Sequence, residues 1–319
     1  MSHSAAHRAF PANRTWQDDV ARTALGIRRR VLALTIEKGG CYLSQACSAA
    51  EILAVLYRRI MRLGPSEGPF IAPKFYGVPR AGDTDYRTGG RYNGPRDADG
   101  DRFFLSPSHY CVALYAALVE CGRLSGDSMS DFNTDGGTLE MIGAEHSPGM
   151  ELTTGSFGQA LSQVAGIAAA RRLRRETGNN WLFMSDGEFN EGQVWEALMF
   201  ASNQRLDSIG VFVDVNGQQV DGLTKDVFNT EPLADKLTAF GAEVVDLDGH
   251  DIDAMERASR RIGGGKPLVV LCRTDPARGM PVIEARKPDL HYVAVRSDSE
   301  REKFEQALAL LATEYERDI

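Results

Sequence analysis

Several classes of protein are excluded by what the 319-residue sequence lacks. It contains no run of about 18 apolar residues, so we expect no membrane-spanning helix and no membrane partner. Residues 1–13 lack the apolar core of a secretion signal, and we expect residues 1–15 to form a flexible arm. The five cysteines form neither a CxxC pair nor a cluster with zinc spacing, which favours reduced thiols in a cytoplasmic protein. Positive charge is also scarce, since a formal net charge of −8 argues against a nucleic-acid partner.

Apolar runs alternate with segments of helical spacing through the second half of the chain. This alternation is typical of an α/β fold with a mostly parallel sheet and helices on both faces. A final helix is predicted at about residues 299–317. The predicted strands cover residues 181–184, 209–215, 242–247 and 268–273.

The first hundred residues contain two predicted helices and one long irregular segment. The helices lie between residues 16 and about 63, with Ser48 and Glu51 forming a capping box at the start of the second. Residues 64–101 are rich in Gly, Pro, Arg, Asp and aromatic residues, and are too long for a plain connection. We therefore expect one domain over residues 16–319 with a loop insert at about 64–101. The aromatic residues of this insert indicate that it is ordered.

Polar residues follow two of the predicted strands. Asp186 and Gly187 come just after the strand at 181–184, and Asn216 follows the strand at 209–215. Open α/β sheets bind ligands at the carboxyl ends of their strands. Two oxygen ligands, a glycine that permits close approach and a helix N-terminus suit a diphosphate bound through Mg²⁺. The backbone carbonyl of Gln218 could supply a third protein oxygen.

Histidines are a second group of candidates. His109, His146 and His291 lie on predicted loops, where a histidine is more often a surface or capping residue. Loops nevertheless contain functional residues more often than cores do. His250 follows a predicted strand, and we interpret it as structural.

Several segments together resemble the diphosphate-binding half of transketolase. Residues 185–187 with Asn216 resemble the thiamine-diphosphate motif, and residues 193–197, Gln-Val-Trp-Glu-Ala, fit the transketolase form of it. Residues 101–109 resemble the family's Asp-Arg-Phe segment with its serine and histidine, and residues 151–159 resemble its Thr-Thr-Gly loop. The resemblance spans about residues 16 to 295 and implies a thiamine-diphosphate-binding fold.

The resemblance also implies which residues bind the cofactor. Mg²⁺, or Ca²⁺ or Mn²⁺ in its place, would be held by Asp186, Asn216 and the Gln218 carbonyl. The remaining contacts to thiamine diphosphate would come from Gly155, Ser156, Phe157, Gly187, Glu188, His109 and His291.

Four residues would take part in catalysis by the same resemblance. His109 and His291 would stabilise the sugar donor, and Glu191 would belong to a network that joins two active sites across a dimer. His146 is the candidate for one further family histidine.

Some positions depart from the family pattern. Ser185 replaces the first glycine of the diphosphate motif, and Tyr42 lies where many members have a histidine within Gly-His-Pro-Gly-Gly. Together with the insert at about 64–101, these departures indicate a specialised substrate.

The resemblance implies a transferase that works with a second chain. It would move a two-carbon ketol unit from a ketose, phosphorylated or not, to an aldose. The pyrimidine-binding domain and its catalytic glutamate would lie on a C-terminal partner subunit, in a dimer of heterodimers. Two alternatives stay open: the α subunit of a 2-oxo acid dehydrogenase, and a non-catalytic regulatory subunit that kept the fold.

Overall fold

The computed structural model describes residues 14–75, 77, 88–220 and 222–317. Within those ranges, no helix is long and apolar enough to cross a membrane. The helices are α1 (Trp16–Lys38), α2 (Leu43–Val55), α3 (Cys111–Glu120), α4 (Gln159–Leu173), α5 (Gly192–Asn203), α6 (Thr224–Val227), α7 (Leu233–Ala239), α8 (Ile252–Ser259), α9 (Pro281–Glu284) and α10 (Asp298–Arg317). The strands are β1 (Gly40–Cys41), β2 (Arg102–Leu105), β3 (Asn180–Ser185), β4 (Ile209–Val215), β5 (Gln218–Gln219), β6 (Gly222–Leu223), β7 (Glu243–Asp248), β8 (Leu268–Arg273) and β9 (Val293–Ala294).

Five parallel strands form the central sheet in the order β2-β3-β4-β8-β7. Every residue of β3 and of β4 is buried, as expected for strands that are covered on both faces. The predicted strands at 209–215 and 268–273 coincide with β4 and β8. The prediction of a mostly parallel α/β sheet is therefore confirmed.

Side chains alternate between two hydrophobic clusters, one on each face of the sheet. Phe183 and Phe212 point to the cluster that includes α1, α2 and α3, while Leu182 and Val213 point to the cluster formed with α4, α5 and α7. This alternation follows from the period of two in a strand. It confirms the prediction of helices on both faces.

The first helix begins as predicted, whereas the second begins earlier than predicted. Residues 1–13 of the predicted arm lie outside the described residues, while Thr15 caps α1 by accepting a hydrogen bond from the Asp18 backbone N–H at 3.2 Å. The predicted capping box of Ser48 and Glu51 is wrong, because α2 begins at Leu43 and Ser48 lies in its interior. Both side chains have distant partners instead of capping the helix.

The described part of the insert packs against the loop at residues 134–151. The Gly89 N–H donates to the Glu145 carbonyl at 2.6 Å, and the ring of Phe75 lies 4.4 Å from that of His146. A side chain at Gly89 would collide with the Ser147 carbonyl oxygen, 1.7 Å from an ideal Cβ. These contacts agree with an ordered insert, although residues 76 and 78–87 lie outside the described residues.

Candidate functional site

A cavity of about 280 Å³ opens at the carboxyl edge of the central sheet. It brings together eight of the predicted site residues, namely His109, Phe157, Asp186, Gly187, Glu191, Asn216, Gln218 and His291. Four of the other predicted residues, Gly155, Ser156, His146 and Glu188, are not among its lining residues. The cavity has a carboxylate-and-amide end and a histidine end.

Asp186 provides the carboxylate of the first end. It directly follows β3, and its Oδ2 accepts hydrogen bonds from the Gly217 N–H at 3.3 Å and the Thr224 hydroxyl at 3.2 Å. Burial, together with the nearby carboxylate of Asp214, raises the pKa of Asp186 to about 7. A bound cation would favour the ionised form and offset this effect.

The amide of Asn216 completes that end. Its Oδ1 accepts the Gln218 N–H at 2.9 Å, and its Nδ2 donates to the Tyr110 hydroxyl at 3.0 Å and to Asp214 Oδ2 at 3.1 Å. The side chains of Asp186 and Asn216 therefore both engage the backbone of the turn at residues 217–218.

The chemistry of these groups fits a hard cation such as Mg²⁺. Mg²⁺ prefers oxygen ligands and is usually held by one or two protein groups plus waters and substrate phosphates. The described residues contain no group of three His, Cys, Asp or Glu side chains suited to a metal, so this end would depend on ligand oxygens too. The buried Oε1 of Gln218 has no hydrogen-bond partner among the described residues, which marks an unsatisfied oxygen in the same turn.

Glu188 is buried behind the cavity wall, and its predicted contact with the cofactor stays a prediction. Its Oε2 accepts the Ser185 N–H at 3.0 Å, and its Oε1 accepts from the Ser106 hydroxyl and from the Gly158 N–H at 3.5 Å. It thereby joins the ends of β2 and β3 to the start of α4. Burial raises the pKa of Glu188 to about 7.

The loop before α4 approaches the same edge closely. Gly155 has a φ of +102°, and an ideal Cβ there would lie 2.3 Å from the Ser108 Oγ, so no other residue fits without rearrangement. Phe157 lines the cavity with its ring 5.8 Å from His109. Gly155 and Ser156 stand next to the cavity, and their predicted contacts with a diphosphate stay a prediction.

Aromatic rings form the histidine end. The rings of His109 and His291 lie 5.1 Å apart, and Tyr42 lies 5.3 Å from the first and 5.4 Å from the second. Burial, followed by the neighbouring His291, lowers the pKa of His109 to about 3. His109 is therefore neutral at physiological pH and can serve as a hydrogen-bonding group without a charge.

Two distant parts of the chain meet to build this end. Gly40 and Cys41 of β1 pair antiparallel with β9, and this pairing brings Tyr42 beside the loop that contains His291. Gln45 of α2 donates from Nε2 to the His291 carbonyl at 3.1 Å. Gln45 also lines the cavity and was not among the site residues predicted from the sequence.

His146 lies elsewhere, packed on the insert. Its Nε2 is 3.1 Å from the Glu140 Oε2 and its ring lies against Phe75. Glu191 does line the cavity and is exposed. Catalytic roles for His146 and Glu191 stay predictions.

Asp214 is a fully buried polar residue that was not among the residues predicted from the sequence. It is fully buried in β4, and its carboxylate accepts hydrogen bonds from Ser48, Tyr110, Asn216 and Thr274. A signal for it was present, because it is an acid inside the apolar run Ile-Gly-Val-Phe-Val-Asp-Val. A buried carboxylate needs hydrogen-bond partners, and two of the partners of Asp214, Tyr110 and Asn216, line the cavity.

Comparison with known proteins identifies the family. Residues 87–309, more than half of the chain, match the family model described as transketolase, thiamine diphosphate binding domain. The chain belongs to the transketolase family. This membership confirms the predicted resemblance, the fold and thiamine diphosphate as the cofactor of the domain.

Relatives in the transketolase family include proteins of about the length of this chain. It is 36% identical over 275 residues to an uncharacterized transketolase family protein of Sinorhizobium fredii, covering 84% of this chain and 88% of the relative. It is 32% identical to the 6-deoxy-6-sulfo-D-fructose transketolase subunit SqwG of a Clostridium species, covering 85% and 90%.

Among solved structures, the Campylobacter jejuni transketolase superposes with a TM-score of 0.69. At 19% identity the likeness concerns the fold, and it covers 96% of this chain but 48% of the other. The chain therefore has the fold of one part of a longer transketolase.

Proposed function

We propose that the chain is the N-terminal subunit of a thiamine-diphosphate-dependent transketolase. It would transfer a two-carbon ketol unit from a ketose, or a ketose phosphate, to an aldose acceptor. The observation that supports this most is one cavity lined by the oxygen-bearing side chains of Asp186 and Asn216 and by two histidines, in a chain of the transketolase family.

Residues at the two ends of the cavity would have different roles. Asp186, Asn216 and the Gln218 carbonyl would hold Mg²⁺ and, through it, the diphosphate of the cofactor. Thiamine diphosphate supplies the nucleophilic carbon when it is bound, and the protein supplies position and electrostatics. Glu188 would act through its contacts with Ser185 and Gly158, by keeping the two sides of the diphosphate site in register.

The histidine end would bind the sugar. Neutral imidazoles can donate a hydrogen bond to a developing oxyanion or accept one from a hydroxyl, each worth about 10²–10⁴-fold in rate. Tyr42 and Gln45 reshape this end relative to the family pattern, which supports a specialised ketose.

A partner subunit follows from the same reasoning. One relative of similar length is itself named a transketolase subunit. The partner would contribute the pyrimidine-binding domain and the glutamate that activates the cofactor, and the assembly would be a cytoplasmic dimer of heterodimers.

The direct test combines the chain with its partner, Mg²⁺, thiamine diphosphate and a ketose donor. We expect ketol transfer, and we expect Asp186→Ala to lower the rate by at least about 100-fold, because it removes the one carboxylate of the proposed metal site. Asp235→Ala, at an exposed position of α7, is the control and should leave the rate unchanged. Equal rates for the two variants would overturn the metal assignment, and ferricyanide reduction driven by a 2-oxo acid would instead support the dehydrogenase alternative.

A further inference from the structure

The buried carboxylate of Asp214 lies directly behind the proposed cation ligand. Its Oδ2 accepts hydrogen bonds from the Ser48 hydroxyl at 2.6 Å, from the Tyr110 hydroxyl at 2.7 Å and from Asn216 Nδ2 at 3.1 Å. Its Oδ1 accepts from Thr274. The carboxylate is fully buried, so water does not compete for these positions.

The donors and acceptors of this network determine where each proton lies. A carboxylate only accepts, so the Tyr110 hydroxyl gives its proton to Asp214 and keeps a lone pair for Asn216 Nδ2, 3.0 Å away. One Nδ2 hydrogen of Asn216 goes to Tyr110 and the other to Asp214. The NH₂ group of the Asn216 amide is thereby held toward Tyr110 and Asp214.

The carbonyl oxygen of the same amide must then point away from Tyr110 and Asp214. Asn216 Oδ1 accepts one hydrogen bond, from the Gln218 N–H at 2.9 Å, and an amide oxygen has a second lone pair. A reversed amide would place its oxygen against the Asp214 carboxylate and leave a buried donor without a partner, which is costly.

We infer that Asp214 and Tyr110 are positioning residues that lock the Asn216 amide with its oxygen toward the cation. This rests on the proposed function, because it assumes that Asn216 is a cation ligand. The network also connects the cation end to α2 through Ser48, which explains why that serine lies inside the helix and not at its start.

The test uses the full-length chain, titrated with Mg²⁺ by calorimetry in excess inorganic diphosphate. Tyr110→Phe removes the hydroxyl that accepts from Asn216, and we expect the half-saturating Mg²⁺ concentration to rise about 10-fold, as is typical when a partner of a metal ligand is lost. In the enzyme assembled with its partner, we expect excess Mg²⁺ to restore the lost activity.

Tyr115→Phe is the matched control. Tyr115 is as buried as Tyr110 and lies five residues further on, in α3, but its hydroxyl donates to the Glu140 carbonyl at 3.1 Å, away from the cavity. Both variants lose one buried hydroxyl and should lose similar thermal stability. Only Tyr110→Phe should change the Mg²⁺ requirement.

Asp186→Ala separates this inference from the proposed function. If the unaltered chain and Asp186→Ala bind Mg²⁺ with diphosphate equally, the proposed cation site fails, and this inference fails with it. If Asp186→Ala abolishes binding while Tyr110→Phe and Tyr115→Phe have the same Mg²⁺ requirement, the cation site stands and the positioning role of Tyr110 and Asp214 is wrong.

Discussion

Two groups of buried ionisable residues differ in how their charge is balanced. In the paired cluster (Arg28, Glu51 and His250), the guanidinium contacts both oxygens of Glu51, at 2.7 and 2.5 Å, and His250 lies 3.0 Å from the same carboxylate. In the edge cluster (Asp186, Glu188 and Asp214), the hydrogen bonds from the described residues come from hydroxyl, amide and backbone groups that have no charge.

The pKa values follow this difference. Burial acts to raise the pKa of Glu51, but Arg28 and His250 outweigh it and hold the pKa at about 2. Burial dominates in the edge cluster, where the pKa of Asp186 and that of Glu188 both rise to about 7. An internal cation thus keeps the carboxylate of the first cluster ionised. The carboxyl groups of the second have no charged hydrogen-bond partner among the described residues, so an external cation would favour their ionised form.

The contacts of the paired cluster also determine which ring nitrogen of His250 carries the hydrogen. The Asp275 N–H donates to His250 Nε2 at 2.9 Å, so the ring hydrogen is on Nδ1, where it faces Glu51. This geometry agrees with the interpretation of His250 as structural.

Removing the cation of the paired cluster should have the largest effect on stability. Arg28→Met leaves the buried Glu51 carboxylate without its ion-pair partner, and we expect the free energy of unfolding to fall by about 3–5 kcal/mol in urea denaturation. The control Arg296→Met breaks a pair with Asp289 in which both side chains are more than half exposed, and should change little. Equal losses in the two variants would show that the buried pair of Arg28 and Glu51 contributes no more to stability than an exposed pair does.

Acid should destabilise the protein through Glu51. Its pKa is about 2 in the folded chain and 4.5 in the reference state, so its contribution is present above pH 4.5 and lost as the pH falls toward 2. We expect Glu51→Gln to remove a pH-dependent term on the order of 3 kcal/mol from that interval. Urea denaturation at pH 5 and pH 3 measures about half of this term, because the folded-state pKa of about 2 lies below that range, and an unchanged acid dependence would contradict the lowered pKa.

Glu188 should show the opposite sign. Its pKa of about 7 exceeds the reference value of 4.5, so the folded chain holds a proton that the unfolded chain has released. Its contribution is therefore present below pH 4.5 and lost as the pH rises through 7. We expect Glu188→Gln to weaken the pH dependence of the free energy of unfolding between pH 4.5 and 7. The change should be equal to or smaller than the one that Glu51→Gln causes at acid pH, and it is measured with a chelator and without cofactor. A steeper dependence in the variant would refute this assignment.

Patterns within short segments were sufficient to predict much of the fold. The apolar runs at 209–215 and 268–273 gave the bounds of β4 and β8, because strands buried on both faces are continuous apolar sequence. Asp186 and Asn216 could likewise be placed together, since parallel strands end at one edge. These inferences need only the period of the sequence and the direction of the strands.

Other features depend on contacts that local patterns do not encode. Ser48 and Glu51 have the spacing of a capping box, yet their partners are Asp214 and Arg28, 166 and 23 residues away. Gln45 enters the cavity only because the loop at His291 packs on α2. Local patterns therefore indicated both side chains of the carboxylate-and-amide end, whereas Gln45 of the histidine end depends on a long-range contact.

The pairing of β1 with β9 has a consequence for the order in which the cavity is completed. Gly40 pairs with Ala294, so one wall of the cavity needs residues from opposite ends of the chain. During synthesis the amino-terminal part emerges first, and a contact of such long sequence separation is among the slow ones to form. Tyr42 and His109 are therefore synthesised before His291, and the histidine end is expected to be the last part of the cavity to assemble.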